Sequence, residues 1–130
     1  MGKSKGRGLT WGEFVRTLRL EAGYGLRTFA ALLGYQPSNY SNMETGKTPP
    51  PKDARRLKEI AETLAIPEGT EEWHEFHDLA AEARKAPVPA DVAEYAATRS
   101  VVPLLLRTTE GKKLSDDQIR KLIDYVNEHF

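Results

Sequence analysis

The sequence predicts an all-α fold, in which a five-helix domain is followed by a helical extension. Apolar residues recur at i, i+3, i+4 and i+7 through most of the chain, and no segment alternates β-branched and polar residues. Gly and Pro stand at the ends of the periodic segments, where they stop helices. A chain of 130 residues is long enough for one buried core with an appendage.

The composition excludes several classes of protein. The chain has no cysteine, so neither disulfides nor thiolate metal sites are available. No apolar run approaches the ~18 residues that cross a bilayer, and the N-terminus has no apolar leader segment. We therefore expect a cytoplasmic protein that makes no contact with membranes.

The net charge of zero hides an uneven distribution. Residues 1–65 contain 11 Lys and Arg against 6 Asp and Glu, whereas residues 66–130 contain 8 against 13. A net charge of +5 suits nucleic-acid phosphates, and a net charge of −5 repels them. We expect a disordered basic arm over residues 1–9, a nucleic-acid-facing domain over 10–66, and an acidic helical region for dimerisation or protein interaction over 67–130.

The first helix is expected to run from Thr10, its N-cap, to about Ala22, with Gly23 stopping it. A second helix follows, because Leu26, Phe29, Ala30 and Leu33 share one helical face and Gly34 suits the left-handed position after a helix end.

A third helix is predicted from Pro37 to Glu44. Proline suits a first helical turn, Tyr40 and Met43 return to the inner face, and Gly46 closes the helix. Two short helices joined by a tight, Gly-containing bend are typical of a helix-turn-helix, whose second helix enters a DNA major groove.

The remaining helices are expected at Pro51–Ala65, from a Thr70 cap to about Lys85, at about Asp91–Thr98, and after Pro103. A capping box at Ser115–Gln118 opens a last helix. Its apolar stripe either folds back on the other helices or pairs with the same stripe in a second chain; the residues predicted for that dimer interface are Ile119, Leu122, Ile123 and Val126.

With these motifs in view, the chain resembles the lambda-repressor/Cro family of XRE-type regulators. The resemblance covers about Thr10 to Leu64 and is specific. It depends on Arg19 four residues before Gly23, on the segment LRTFAALLG from Leu26, and on the segment SNYSNMETGK from Ser38, which prolines follow.

The resemblance implies which residues contact DNA. The outward positions that face bases correspond to Ser38, Ser41, Asn42 and the adjacent Asn39, and an Asn amide can form a bidentate pair with adenine. Pro37 departs from the polar residue of the family and shifts base contacts toward Ser38, Asn39 and Asn42. Leu26 replaces a phosphate-binding Gln of many relatives, so phosphate contacts fall to Arg27 or the N–H groups at the helix N-terminus, and on the other side to Lys47 and Lys52.

The resemblance also pairs Arg19 with Glu44 in a partly buried salt bridge between the first helix and the end of the third. A bidentate guanidinium–carboxylate contact would fix the angle at which the third helix projects. We assign this pair a structural role.

Other polar residues receive simpler interpretations. His74 and His77 lie three apart on a helix but have no second ligand cluster, so no metal site and no cofactor are expected. Tyr40 is expected in the core rather than stacked on a base, and the Arg55–Lys58 run fits a solvated helix face as well as a phosphate contact.

Taken together, the sequence predicts a sequence-specific DNA-binding regulator, most simply a homodimeric repressor of a palindromic operator. The alternative is an antitoxin that uses the same fold on its promoter while its acidic half binds a basic partner protein. An enzyme would need clustered titratable residues, which the sequence does not offer.

Overall fold

The computed structural model describes residues 9–86 and 88–130, and these residues form eight α-helices and no strand. The all-α prediction is confirmed. The predicted basic arm lies outside the described residues, apart from Leu9. The helices are α1 (Trp11–Glu21), α2 (Leu26–Leu33), α3 (Pro37–Thr45), α4 (Ala54–Thr63), α5 (Glu71–Arg84), α6 (Ala90–Ala97), α7 (Val101–Gly111) and α8 (Asp116–His129).

The described chain divides into two compact units, the first ending at Ala93 and the second running from Glu94 to Phe130. In the first unit, α1 packs against α3 and α5, α2 packs against α3, and α4 packs against α5. The core is rich in aromatic rings, such as Trp11 and Phe76 with centroids 5.7 Å apart. Its largest fully buried apolar side chains are Trp11, Phe14, Val15, Phe29, Tyr40, Ile60 and Phe76.

Helix α5 completes this core, because Trp73, Phe76 and Ala80 are buried in it. The boundary drawn after Ile66 from the sequence therefore falls inside the first unit. The change in net charge along the sequence suggested that boundary. Helix α5 nevertheless belongs to the first unit, because its apolar face is buried in the core.

Local hydrogen bonds begin several helices where the sequence predicts. The Thr10 hydroxyl accepts from the Glu13 N–H while the Thr10 N–H donates to the Glu13 carboxylate, a capping box at the start of α1. The Thr70 side chain caps α5, and Ser115 and Gln118 form the predicted capping box of α8. These local predictions are confirmed.

Two predicted helix starts are wrong. Helix α4 begins at Ala54 rather than Pro51, because the Asp53 carboxylate accepts from the Arg55 N–H at 2.9 Å and serves as the N-cap. Helix α7 begins at Val101 rather than after Pro103. Proline is tolerated in that first turn because the N–H groups there have no partner within the helix.

The second unit contains α7 and α8, and neither helix buries a residue. The stripe predicted on α8 faces a groove that α7 also lines. None of the described helices has the length and apolar character needed to cross a membrane.

Candidate nucleic-acid interface

Helices α2 and α3 are joined by a tight bend whose backbone follows from its sequence. Gly34 adopts φ 78°, a left-handed conformation that glycine accepts at little cost, and ends α2. The Tyr35 N–H then donates to the Ala30 carbonyl. Gln36 is the N-cap of α3 and Pro37 occupies its first position. Gly46, at φ 84°, ends α3 after nine residues, so α3 is a short rod about 14 Å long.

The inner face of α3 is anchored in the core of the first unit. Tyr40, Met43 and Glu44 are buried there. The Tyr40 ring lies 5.3 Å from the Phe29 ring and 6.3 Å from the Tyr35 ring, measured between centroids. Tyr40 is therefore a core residue, as predicted, and cannot stack on a base.

A buried network of charged groups joins α1 to α3. Arg19 Nε donates to Glu44 Oε2 at 2.7 Å, and Arg19 Nη2 donates to Glu44 Oε1 at 3.0 Å. Both residues are buried, with exposed fractions of 5% and 7%. The Tyr40 hydroxyl donates to Glu44 Oε2 at 2.6 Å, and Arg19 Nη1 donates to the Tyr24 carbonyl at 2.9 Å. Each charge thus has several hydrogen bonds, which is the condition under which a buried ion pair is tolerated.

The network also raises the pKa values of Arg19 and Tyr40. The hydrogen bonds that Arg19 donates to Glu44 raise the pKa of Arg19 above its ordinary value, although burial opposes this. Burial, followed by the hydrogen bond to Glu44, raises the pKa of Tyr40 far above that of a free phenol. The guanidinium of Arg19 and the neutral phenol of Tyr40 are therefore maintained across physiological pH.

A close backbone approach next to this network was not predicted from the sequence. Gly12 on α1 lies against the end of α3: a Cβ at Gly12 would overlap the Glu44 carbonyl oxygen and lie 2.8 Å from the Met43 carbonyl oxygen. Only glycine permits this approach. A glycine in the first turn of a predicted helix, next to Trp11, was the available signal, because glycine is costly inside helices.

The outer face of α3 carries the predicted base-contacting residues. Ser38 and Asn39 are exposed, whereas Ser41 and Asn42 are half-buried. None of these four side chains makes a hydrogen bond within the described part of the chain. Their donors and acceptors are therefore available to a ligand.

Thr45 extends this outer face, and it was not among the outward residues predicted from the sequence. Ser38, Ser41, Asn42 and Thr45 stand at i, i+3, i+4 and i+7, so they form one strip, and Asn39 lies at its margin. Thr45 is exposed, and its hydroxyl donates to the Ser41 carbonyl at 3.2 Å. The helical spacing that identified the inner face would also have identified Thr45.

The predicted phosphate-contacting residues are all exposed. Arg27 lies in the first turn of α2, and Lys47 and Lys52 lie on either side of the proline joint between α3 and α4. That joint is held in place, because Pro50 is buried and its carbonyl accepts from Arg84 Nη1 at 3.0 Å. The two lysines are therefore attached to a fixed backbone.

Arg56 has a structural role rather than a free charge. Its Nη1 donates to the Leu33 carbonyl at 3.0 Å and to Glu59 at 2.8 Å, and its guanidinium lies 4.3 Å from the centre of the Tyr35 ring. Arg56 thus ties α4 to the end of α2. Arg55 and Lys58, on the same helix, are exposed.

The histidines of α5 do not form a cluster of ligands. His77 is buried and packs edge-on against Trp73 and Phe76, and burial lowers the pKa of its imidazole. His74 is exposed. Among residues 9–86 and 88–130, no group of three or more His, Cys, Asp or Glu side chains is arranged to hold a metal ion.

Comparison with known proteins agrees with this geometry. Residues 11–73 match the family described as "Helix-turn-helix domain". This match covers just under half of the chain, and it confirms the helix-turn-helix resemblance predicted from the sequence. The first unit therefore carries a helix-turn-helix DNA-binding domain. No curated protein and no solved structure matches the chain.

Proposed function

We propose that the protein is a homodimeric transcriptional repressor that binds a palindromic operator with the helix that begins at Pro37. The observation that carries this proposal is the polar strip of Ser38, Ser41, Asn42 and Thr45. It stands outward on a helix whose other face is anchored in the core. An α-helix is about 10–12 Å across with its side chains, so α3 fits a major groove about 12 Å wide.

The chemistry of the strip suits direct readout of bases. Asn42 and Asn39 can each offer an amide donor and acceptor to adenine, and the two serines can contact either partner of a base pair. Arg27, Lys47 and Lys52 would contact phosphates and set the register of α3 in the groove. The net charge of +5 over residues 1–65 supports contact between this half of the sequence and DNA phosphates.

Two copies are needed for useful specificity, because a nine-residue helix contacts only a few base pairs. A two-fold dimer presents two recognition helices about 34 Å apart, one turn of duplex DNA. The protein would then act in the cytoplasm by occupying a promoter, without catalysis and without a cofactor.

The distribution of charge favours this function over that of an antitoxin. The antitoxin interpretation depends on an acidic C-terminal region that attracts a basic partner. Residues 66–93 contain 2 Lys and Arg against 7 Asp and Glu, whereas residues 94–130 contain 6 against 6. The acidic excess therefore belongs to the segment that carries α5, and residues 94–130 as a whole have none.

Selection of bound sites from random duplex DNA tests the proposal. We expect enrichment of an inverted repeat whose half-sites are centred about 10 base pairs apart. A reporter with this site at its promoter should be expressed less when the protein is present. Failure to enrich any sequence over the starting pool, or higher expression of the reporter, would contradict the proposal.

A further inference from the structure

The α7–α8 groove is an apolar feature of the second unit that is open to solvent. Its volume is about 330 Å³, and Thr109 and Asn127 are its polar lining residues. The exposed fractions of its aliphatic residues range from 37% at Leu122 to 59% at Leu106. We define the groove by its aliphatic lining residues, Leu105, Leu106, Ile119, Leu122, Ile123 and Val126.

These two helices need a partner surface to be stable. Helix α7 has 11 residues and α8 has 14, and isolated helices of this length are marginal in water. Helices in proteins are stabilised mainly by packing an amphipathic face, and neither of these helices buries a residue. The aliphatic side chains of the groove supply such a face.

The charge of the second unit indicates which partner fits. Residues 94–130 contain six basic and six acidic residues, so two copies brought together experience no net repulsion. A strongly basic or strongly acidic partner would find no complementary net charge there. A neutral, amphipathic surface is suited to self-association.

We propose that the α7–α8 groove of one copy packs against the same groove of a second copy across a two-fold axis. This inference deepens the homodimer proposed above by assigning its interface to the second unit. Such a contact is isologous: the same surface of each copy is used, so the assembly is complete with two copies.

The size of the face is adequate for this contact. Helices of 14 and 11 residues are about 21 and 16 Å long and about 10 Å wide, which gives a face on the order of 400 Å² before side-chain relief. Two such faces have a combined footprint on the order of 800 Å², and the relief of the side chains raises the accessible area that they bury toward the roughly 1,000 Å² expected of a specific interface. The contact is therefore in the range of a small homodimer.

The test is sedimentation of the full chain without DNA, over a range of concentrations, for wild type and two variants. Ile123→Lys places a charge in the groove and should weaken self-association by at least about 100-fold. Glu128→Gln makes the same change in net charge on the opposite side of α8 and should leave self-association unchanged. Circular dichroism of each variant shows whether the helices remain.

Four single-cysteine variants give a second measurement that does not require loss of the dimer. The chain has no native cysteine. Under mild oxidation, at least one of Ile119→Cys, Ile123→Cys and Val126→Cys should form a covalent dimer, and Glu128→Cys should not. Equal cross-linking at Glu128 would contradict the assignment of the face.

The outcomes separate this inference from the proposed function. A wild-type chain that stays monomeric at all concentrations, or a dimer that Ile123→Lys leaves intact, overturns the inference even if specific DNA binding is found. A dimer that dissociates on Ile123→Lys supports it even if site selection enriches no sequence, in which case the repressor proposal fails alone.

Discussion

Gly12 in α1 lies so close to Glu44 in α3 that a methyl group on Gly12 would overlap the Glu44 carbonyl oxygen. The same glutamate accepts two hydrogen bonds from Arg19, which lies about two helical turns further along α1. The end of α3 is thus held both by a close backbone approach and by an ion pair.

Gly12→Ala should lower the free energy of unfolding by about 2–3 kcal/mol, because the backbones of α1 and α3 must separate to admit a Cβ. Urea denaturation measures this. The control is Gly25→Ala, at the N-cap of α2, where φ is ordinary and nothing lies within 4 Å of the added methyl; it should cost no more than about 1 kcal/mol, the effect of alanine at an N-cap. Equal effects at the two sites would contradict the close approach.

Arg19→Met and Glu44→Gln should each destabilise the protein by about 3–5 kcal/mol, because each leaves a buried partner unpaired. The double variant should lose less than the sum, and the difference measures the coupling. Asp117→Asn breaks an exposed ion pair with Arg120 and should cost less than about 0.5 kcal/mol. Additive losses at Arg19 and Glu44 would argue against a coupled pair.

Asn42→Ala and Lys47→Ala should affect DNA binding in different ways. Loss of the Asn42 amide should relax base preference at one position of each half-site by about 1–3 kcal/mol. Loss of the Lys47 charge should weaken binding to all sequences and reduce the salt dependence by about one unit of slope. Affinities for matched and mismatched duplexes at several salt concentrations distinguish these effects. Identical behaviour of the two variants would show that their proposed roles are wrong.

The buried imidazole of His77 should make stability fall in mild acid. Burial lowers its pKa in the folded protein below the unfolded value of about 6.5, so the unfolded chain binds the proton more readily. Stability is complete above pH ~6.5 and is lost as the pH falls through the folded pKa, by at most about 1.4 kcal/mol per pH unit.

Chemical denaturation of wild type and His77→Leu as a function of pH measures this contribution, and the variant should lose the component of slope below pH ~6.5. His74→Gln changes an exposed histidine three residues earlier and is the matched control, which should keep the wild-type slope. A His77→Leu variant with the wild-type pH profile would exclude the buried imidazole as the cause.

Local sequence determined the helices and the bend between α2 and α3. Thr10, Ser115, Gly34 and Gly46 act through hydrogen bonds or backbone conformations that involve residues at most a few positions away. Such signals are contained in a short window of sequence, so the polar strip on α3 could be predicted in large part. The start of α4 was misplaced because two local signals compete there. Pro51 can begin a helix, but the Asp53 side chain caps it two residues later.

Only the tertiary structure decided how those helices fit together. The role of Gly12 depends on carbonyl groups more than thirty residues away in the chain. The Arg56 guanidinium donates to the Leu33 carbonyl and to Glu59. Trp73 and Phe76 bring α5 into the first unit although the segment that carries α5 is acidic and residues 1–65 are basic. Contacts between distant segments depend on shape and burial once the chain has folded, and a single sequence carries no periodic signal for them.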